Sequence, residues 1–357
     1  MKKVLLHTLL YLLGLLGAAQ VIAGCGFGFT SYQPGGFYTP DGLKIPLAEI
    51  ANFLTGGGYL GGNADQHPRG RLTPGLRVKE GYDRPKWDYF DAQGCILVEH
   101  NSTGFRDIEF PLQKPPGEFR VLAIGDSFTY GSGVLMQDAW PAVLERGLAA
   151  DGRAVKVVNC GFATGGYEPS AYTPWLRSDG LLLGPDLVVI GFCLNDMGNG
   201  NDVPMLAYQG KTTMNCKVAL IDQFWTYFEN RRLMAAAPDY AAVVRAHPET
   251  WMRTQQALLD MQQLLAEHHV PLVIAVIPMM SGWELKPNPY QGLHDAIDGF
   301  CAEHAIPCVD LLPEFAGRSE ADIWVHPTDQ HPNHIGQKLL ADGILRFLRA
   351  RGLDRAR

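Results

Sequence analysis

The chain has 357 residues, 46% hydrophobic and 19% charged, with a formal net charge of -7. That length allows one large domain with extensions or two small ones, and the composition excludes wholesale disorder. The acidic balance argues against a general nucleic-acid binder, which needs a basic face to neutralise phosphates. Arg346, Arg349, Arg351, Arg355 and Arg357 read as a solvated helix end.

The chain opens with Lys2-Lys3 and an apolar run, Val4 to Val21, interrupted by His7, Thr8 and Gln20. Ile22-Ala23-Gly24-Cys25 follows, and small residues before a cleavage point predict a signal peptide over residues 1–24. The ending resembles a bacterial lipobox, which implies a lipid-carrying Cys25 as the mature N-terminus. The run is also nearly long enough to span a bilayer, so an uncleaved anchor is the alternative and plain secretion a third. Each places the body outside the cytoplasm, in the cell envelope or beyond. Of seven cysteines, six remain if Cys25 carries lipid, which permits disulfides without assigning them. Cys301 and Cys308 are the closest pair in sequence, and the lack of C-x-x-C argues against a structural zinc site.

Residues 25–115 are rich in Gly, Pro and aromatics, with Gly56-Gly57-Gly58 and Gly61-Gly62 as interruptions. Pro46 to Leu54 predicts a short helix with proline at its first position. The rest reads as turns and short strands, an irregular tether or cap. Arg106-Asp107 near its end reads as structural rather than catalytic.

From about residue 116 the pattern becomes regular. Arg120-Val121-Leu122-Ala123-Ile124 predicts a strand. It runs into Gly125-Asp126-Ser127-Phe128-Thr129-Tyr130-Gly131, a Gly-bounded turn that would present a hydroxyl at a sheet edge. Asp138 is placed to cap a helix with Trp140, Val143, Leu144 and Leu148 on its apolar face. Further strands are expected at Val155 to Val158, Leu187 to Phe192, Leu272 to Ile277 and Pro307 to Leu311. Helices are expected between them, with an insertion at about 197–250 and a closing helix through Leu340, Ile344, Phe347 and Leu348. Strands alternating with helices predict a mostly parallel sheet covered on both faces, with the site beyond the strands' carboxyl ends.

Ser127, Gly161, Asn195-Asp196 and Asp329-Gln330-His331-Pro332-Asn333 all fall at those ends. Their order resembles the SGNH, or GDSL-type, hydrolase superfamily, over roughly Phe119 to Leu348. The lead-in Asn-Ser-x-Gly-Phe-Arg-Asp resembles its bacterial envelope branch. The resemblance implies a three-layer α/β/α sandwich with a five-stranded, flavodoxin-like sheet. It implies Ser127 as nucleophile, His331 as base, and the Ser127 and Gly161 N–H groups with the Asn195 amide as oxyanion donors. The family's acid often sits three residues before the His. That position holds Thr328 here, so Asp329, two before, is expected to orient His331, with Asp310 in reserve. The block at Asn195 reads G-F-C-L-N-D rather than the shorter G-x-N-D. His334 is expected as a surface residue of the last helix's first turn. His326, His331 and His334 with Asp329 could instead form a metal site, a reading set aside because Pro332 and Asn333 match the family's block. No metal or cofactor is expected.

Serine is a poor nucleophile until a base takes its proton, and a carboxylate behind the His fixes the tautomer. An envelope esterase acting on small-molecule, lipid or glycan esters is the expected activity. An O-acyltransferase using the same residues and a non-catalytic scaffold are the competing readings. The oligomeric state is not legible.

Overall fold

A computed structural model describes residues 11–18, 35–46, 49–50, 54, 72–162, 169–197, 245, 248–283 and 288–355. Of the leader, residues 11–18 are helical and exposed. Cys25, most of the Pro46 to Leu54 helix and nearly all of the 197–250 insertion lie outside the described residues. Among the described residues no helix is long and apolar enough to cross a membrane.

Five strands make the central sheet: β4 (Phe119–Gly125), β5 (Val155–Gly161), β6 (Leu187–Cys193), β7 (Leu272–Ile277) and β8 (Cys308–Asp310). The order is β5-β4-β6-β7-β8, and every pair is parallel. β4, β6 and β7 are buried along their whole length. Continuous apolar runs of this kind belong to strands covered on both faces. From β4 the chain goes to β5 on one side and later to β6 on the other. The carboxyl end of β4 is therefore the crevice where such sheets bind ligands.

The flanking helices include α1 (Ser127–Tyr130), α2 (Trp140–Leu148), α3 (Pro169–Ser178), α4 (Pro248–Glu267), α5 (Gln291–Glu303) and α6 (His334–Arg351). α2 packs on α6, and α3 on α4. Asp138 does not cap α2. Its N-cap is Ala139, without a side-chain bond, and the Trp140 N–H donates instead to Gln337 Oε1 at 2.8 Å. Gln337 is fully buried on α6 and also donates to the Phe128 carbonyl at 3.2 Å. One side chain thus ties α1, α2 and α6 together.

Before the sheet, β1 (Gly36–Tyr38), β2 (Arg77–Gly81) and β3 (Cys95–Glu99) form an antiparallel sheet of their own. Its apolar face, with Val78, Ile96 and Val98, packs with Tyr130 of α1 and Phe162. Arg106 is buried and donates to the carbonyls of Tyr130 (2.8 Å), Gly131 (2.5 Å) and Val134 (2.5 Å). Asp107 pairs with Lys156 of β5 at 2.7 Å. These contacts cross the boundary expected between residues 115 and 116. Arg106 meets three carbonyls; that of Tyr130 also accepts from Asn159 Nδ2 and that of Gly131 from the Val134 N–H, so the Val134 carbonyl depends on it most. Arg106→Met is expected to cost roughly 3 kcal/mol of stability, because a deserted buried acceptor and lost charge-assisted bonds each cost of order 1–3 kcal/mol. Urea unfolding of both proteins checks this, and an unchanged midpoint would remove the clamp.

Candidate active site

Ser127 opens α1 directly after β4. Asp126 caps the helix by accepting the Phe128 N–H at 2.9 Å. α1 closes after four residues at Gly131, whose φ of 86° lies in the left-handed region that glycine tolerates. The first N–H groups of a helix have no partner inside it. The Ser127 N–H is therefore free of the helix beside its own hydroxyl.

His331 comes from a hairpin, β9 (Trp324–His326) and β10 (Asp329–Pro332). Alternate residues of a strand share a face, so Asp329 and His331 stand side by side. That is why a spacing of two serves here where three is usual. His331 Nε2 lies 2.8 Å from Ser127 Oγ, and His331 Nδ1 lies 2.6 Å from Asp329 Oδ1. Asp329 Oδ1 also accepts the His331 backbone N–H at 3.0 Å. The Phe128 ring packs 5.1 Å from the imidazole. Ser127, His331 and Asp329 thus form one chain of contacts at the β4 edge.

Asn195 follows β6 and donates from Nδ2 to Asp126 Oδ2 at 3.1 Å. An amide nitrogen carries two protons, so one remains for another acceptor. Gly161 is placed differently from the expectation. Its N–H donates to Asn159 Oδ1 at 3.0 Å, and a Cβ there would stand 2.1 Å from the Tyr130 nitrogen. The glycine is required because α1 lies directly on β5, and its N–H is already taken. Residues 163–168, with Gly165-Gly166, lie outside the described residues. Asp310 stands 2.9 Å from His294 of α5 and has no part in the chain to Ser127.

The other histidines are held elsewhere. His326 contacts Thr328 Oγ1 at 2.7 Å and the Asp83 carbonyl at 2.8 Å. His334 is half-buried rather than a surface residue, edge-on to Trp87 and Tyr89 at 5.3 Å each. Among the described residues no group of three His, Cys, Asp or Glu side chains is arranged to hold a metal ion. Cys95, Cys160, Cys193, Cys301 and Cys308 are in the thiol form, not joined in disulfides. Cys193 is buried, which pushes its thiol well up, and Asp196 accepts its N–H at 3.2 Å.

Two residues of the site were not anticipated. The Tyr82 hydroxyl lies 2.5 Å from Asp329 Oδ2 and 2.8 Å from Glu80 Oε1. Both come from the end of β2, where Val78, Glu80 and Tyr82 alternate onto the buried face. A carboxylate at an inward position of a strand is the signal that could have marked them.

Partial burial pulls His331 down, but the Asp329 charge and its hydrogen bond outweigh that and lift it to about 9. Burial alone would raise Asp329. The His331 charge, the His331 bonds and the Tyr82 hydroxyl hold it well below the usual carboxylate range instead. Asp126 is pushed up by burial, against the Phe128 and Asn195 bonds.

A model of the GDSL-like Lipase/Acylhydrolase family matches residues 123–339, more than half of the chain. The chain belongs to that family. It is an ester-hydrolysing enzyme with the α/β fold of that group. No curated protein matches it. Among solved structures, a catalytic mutant of an acetylxylan esterase from Geobacillus stearothermophilus is 16% identical, with a TM-score of 0.43, covering 64% of this chain and 94% of the other. A lipase/acylhydrolase from Enterococcus faecalis is 18% identical, with a TM-score of 0.40, over 65% of this chain and 96% of that one. A two-domain esterase active on acetylated mannans is 17% identical, with a TM-score of 0.41, over 66% of this chain and 50% of that one.

The ion pair makes a prediction about pH. His331 is raised above its ordinary 6.5, so its contribution to stability is complete below pH 6.5 and lost as pH rises through about 9. Asp329 is depressed below 3.8, so its contribution is complete above pH 3.8 and lost in stronger acid. The stability gap between the native chain and Asp329→Asn is expected to be widest between these limits. NMR should show His331 titrating near pH 9, and near or below its ordinary value in Asp329→Asn. A wild-type midpoint near 6.5 would contradict the pairing.

Proposed function

We propose that this enzyme is a cell-envelope serine esterase that hydrolyses carboxylic esters of lipid or glycan acyl groups through an acyl-enzyme. The observation that carries the reading is the unbroken line from Asp329 through His331 to Ser127. In this reading His331 in its neutral form, which gains ground as pH rises toward about 9, takes the Ser127 proton through Nε2 as Oγ attacks the ester carbonyl, and Asp329 steadies the imidazolium that forms. The growing oxyanion meets the Ser127 N–H and the second proton of the Asn195 amide. Gly161 joins only if its N–H leaves Asn159. His331 then protonates the departing alcohol, and water repeats the sequence to release the acid.

Ser127→Ala and His331→Ala are each expected to nearly abolish hydrolysis of short and long p-nitrophenyl esters. The double variant should be little worse, because the two act as a unit. His334→Ala should stay within a few-fold of wild type, since that ring faces Trp87 and Tyr89. Asn195→Ala should lower kcat by ~10²–10³ with a smaller effect on KM. A dead His334→Ala beside an active His331→Ala would overturn the assignment of the base. Acyl transfer to an added glycan in preference to water would reassign the reaction as transfer.

The envelope location rests on Lys2-Lys3, the apolar run and the Ile-Ala-Gly-Cys ending. The expected mature chain begins at an acylated Cys25, held to the membrane by lipid. Mass spectrometry of the N-terminus decides between this and an intact Met1, which would favour an uncleaved anchor.

A further inference from the structure

Tyr82 stands between two carboxyl groups, 2.5 Å from Asp329 Oδ2 and 2.8 Å from Glu80 Oε1. A phenol has one proton to give. Asp329 is the anion of the pair, because its Oδ1 already receives both the Nδ1–H and the backbone N–H of His331. Were Glu80 ionised as well, three oxygens in close contact would share a single proton, and one contact would set lone pair against lone pair. A second proton, on Glu80 Oε1, gives each contact its own hydrogen.

The surroundings of Glu80 agree. Its residue is only 6% exposed, and its other oxygen accepts the Gly133 N–H at 3.0 Å. The groups facing it are Asp329 and His331 on β10, Arg106 before the sheet, and the phenols of Tyr82, Tyr89 and Tyr130. Arg106 is the nearby cation, but its two terminal nitrogens are turned to backbone carbonyls rather than to Glu80. Among the described residues no ion pair reaches Glu80. A buried carboxylate without a counter-ion is costly, and protonation removes that cost. Burial, followed by the Asp329 charge, pushes the Glu80 carboxyl up.

We propose that Glu80 is a positioning residue of this site, acting as a neutral carboxylic acid that donates to Tyr82 so that the Tyr82 hydroxyl is aimed at Asp329. The inference rests on the Ser127–His331–Asp329 reading. The chain of donors then runs from Gly133 N–H to Glu80, from Glu80 to Tyr82, and from Tyr82 to Asp329, without any net proton transfer. Its effect is to hold Asp329 ionised with Oδ1 turned to His331.

The test separates protonation from catalysis. In a Ser127→Ala background, infrared spectra at pH 7 should show the carbonyl band of a protonated carboxylic acid, and adding Glu80→Gln should remove it. The His331 midpoint by NMR should be the same with and without Glu80→Gln, because one neutral group replaces another. Absence of the band, with a fall of up to about 1 unit in that midpoint, would show an ionised Glu80 and overturn the proposal. With Ser127 intact, Tyr82→Phe and Glu80→Leu should each lower kcat roughly 10–100-fold, the scale of a lost hydrogen bond to a charged group. Glu80→Gln should recover most of the Glu80→Leu loss. Should Glu80→Leu fail to fold, Tyr82→Phe deletes only a hydroxyl, and a wild-type kcat there overturns the positioning role. Should Ser127→Ala or His331→Ala stay active, the catalytic reading fails, while the infrared and NMR results still decide the state of Glu80.

Discussion

The Asp329 carboxylate has two oxygens, and each is claimed by a different part of the chain. Oδ1 receives His331, two residues on, while Oδ2 receives Tyr82, 247 positions earlier. An ionised carboxylate taken out of water is tolerated only when its lone pairs are met by donors. The β9–β10 hairpin, the end of β2 and the turn after β4 therefore have to meet at one point. None of them can move alone without stranding a charge. The hairpin contributes a second economy. Because β10 is extended, one residue of separation is enough to put Asp329 and His331 on the same face, and both are largely buried, with side chains 19% and 27% exposed.

The central sheet was legible because β6 and β7, and β4 from Val121 on, are written as apolar runs, a pattern that belongs to strands covered on both faces. Ser127 and Asn195 were legible because each falls where such a run ends, and His331 because its Asp-x-His-Pro-Asn frame stands just before the last helix. What stayed hidden depends on contacts at long range. Glu80 and Tyr82 lie in a stretch whose Gly, Pro and aromatic content obscures the alternation of a five-residue strand. The cap of α2 was assigned to Asp138, an ordinary local candidate. The bond that replaced it comes from Gln337, 197 positions away, which local capping rules cannot find. Gly161 was read for its N–H, but its missing Cβ decided the matter, since α1 presses on β5 there.

The stretch before residue 116 is more than a cover. An isolated turn of four residues has no stability of its own, because nucleation costs more than one hydrogen bond returns. Yet α1 is that short, and it carries Ser127. Its carboxyl end is gripped by Arg106, its inner side rests on Gly161, and the Phe128 carbonyl is held by Gln337. The position of the serine is thus imposed by tertiary contacts from three directions. In the proposed mechanism a nucleophile held this way needs no reordering when substrate arrives, which is one source of the advantage of a positioned group. The same logic applies at the other end of the chain of contacts, where Tyr82 and Glu80 do for Asp329 what Arg106 does for α1. The segment that looked least regular in sequence therefore supplies the supports for both ends of the site. Its irregularity follows from that task, since a strand that must bury a carboxyl group and a phenol at a single point cannot also be a simple alternation of apolar residues.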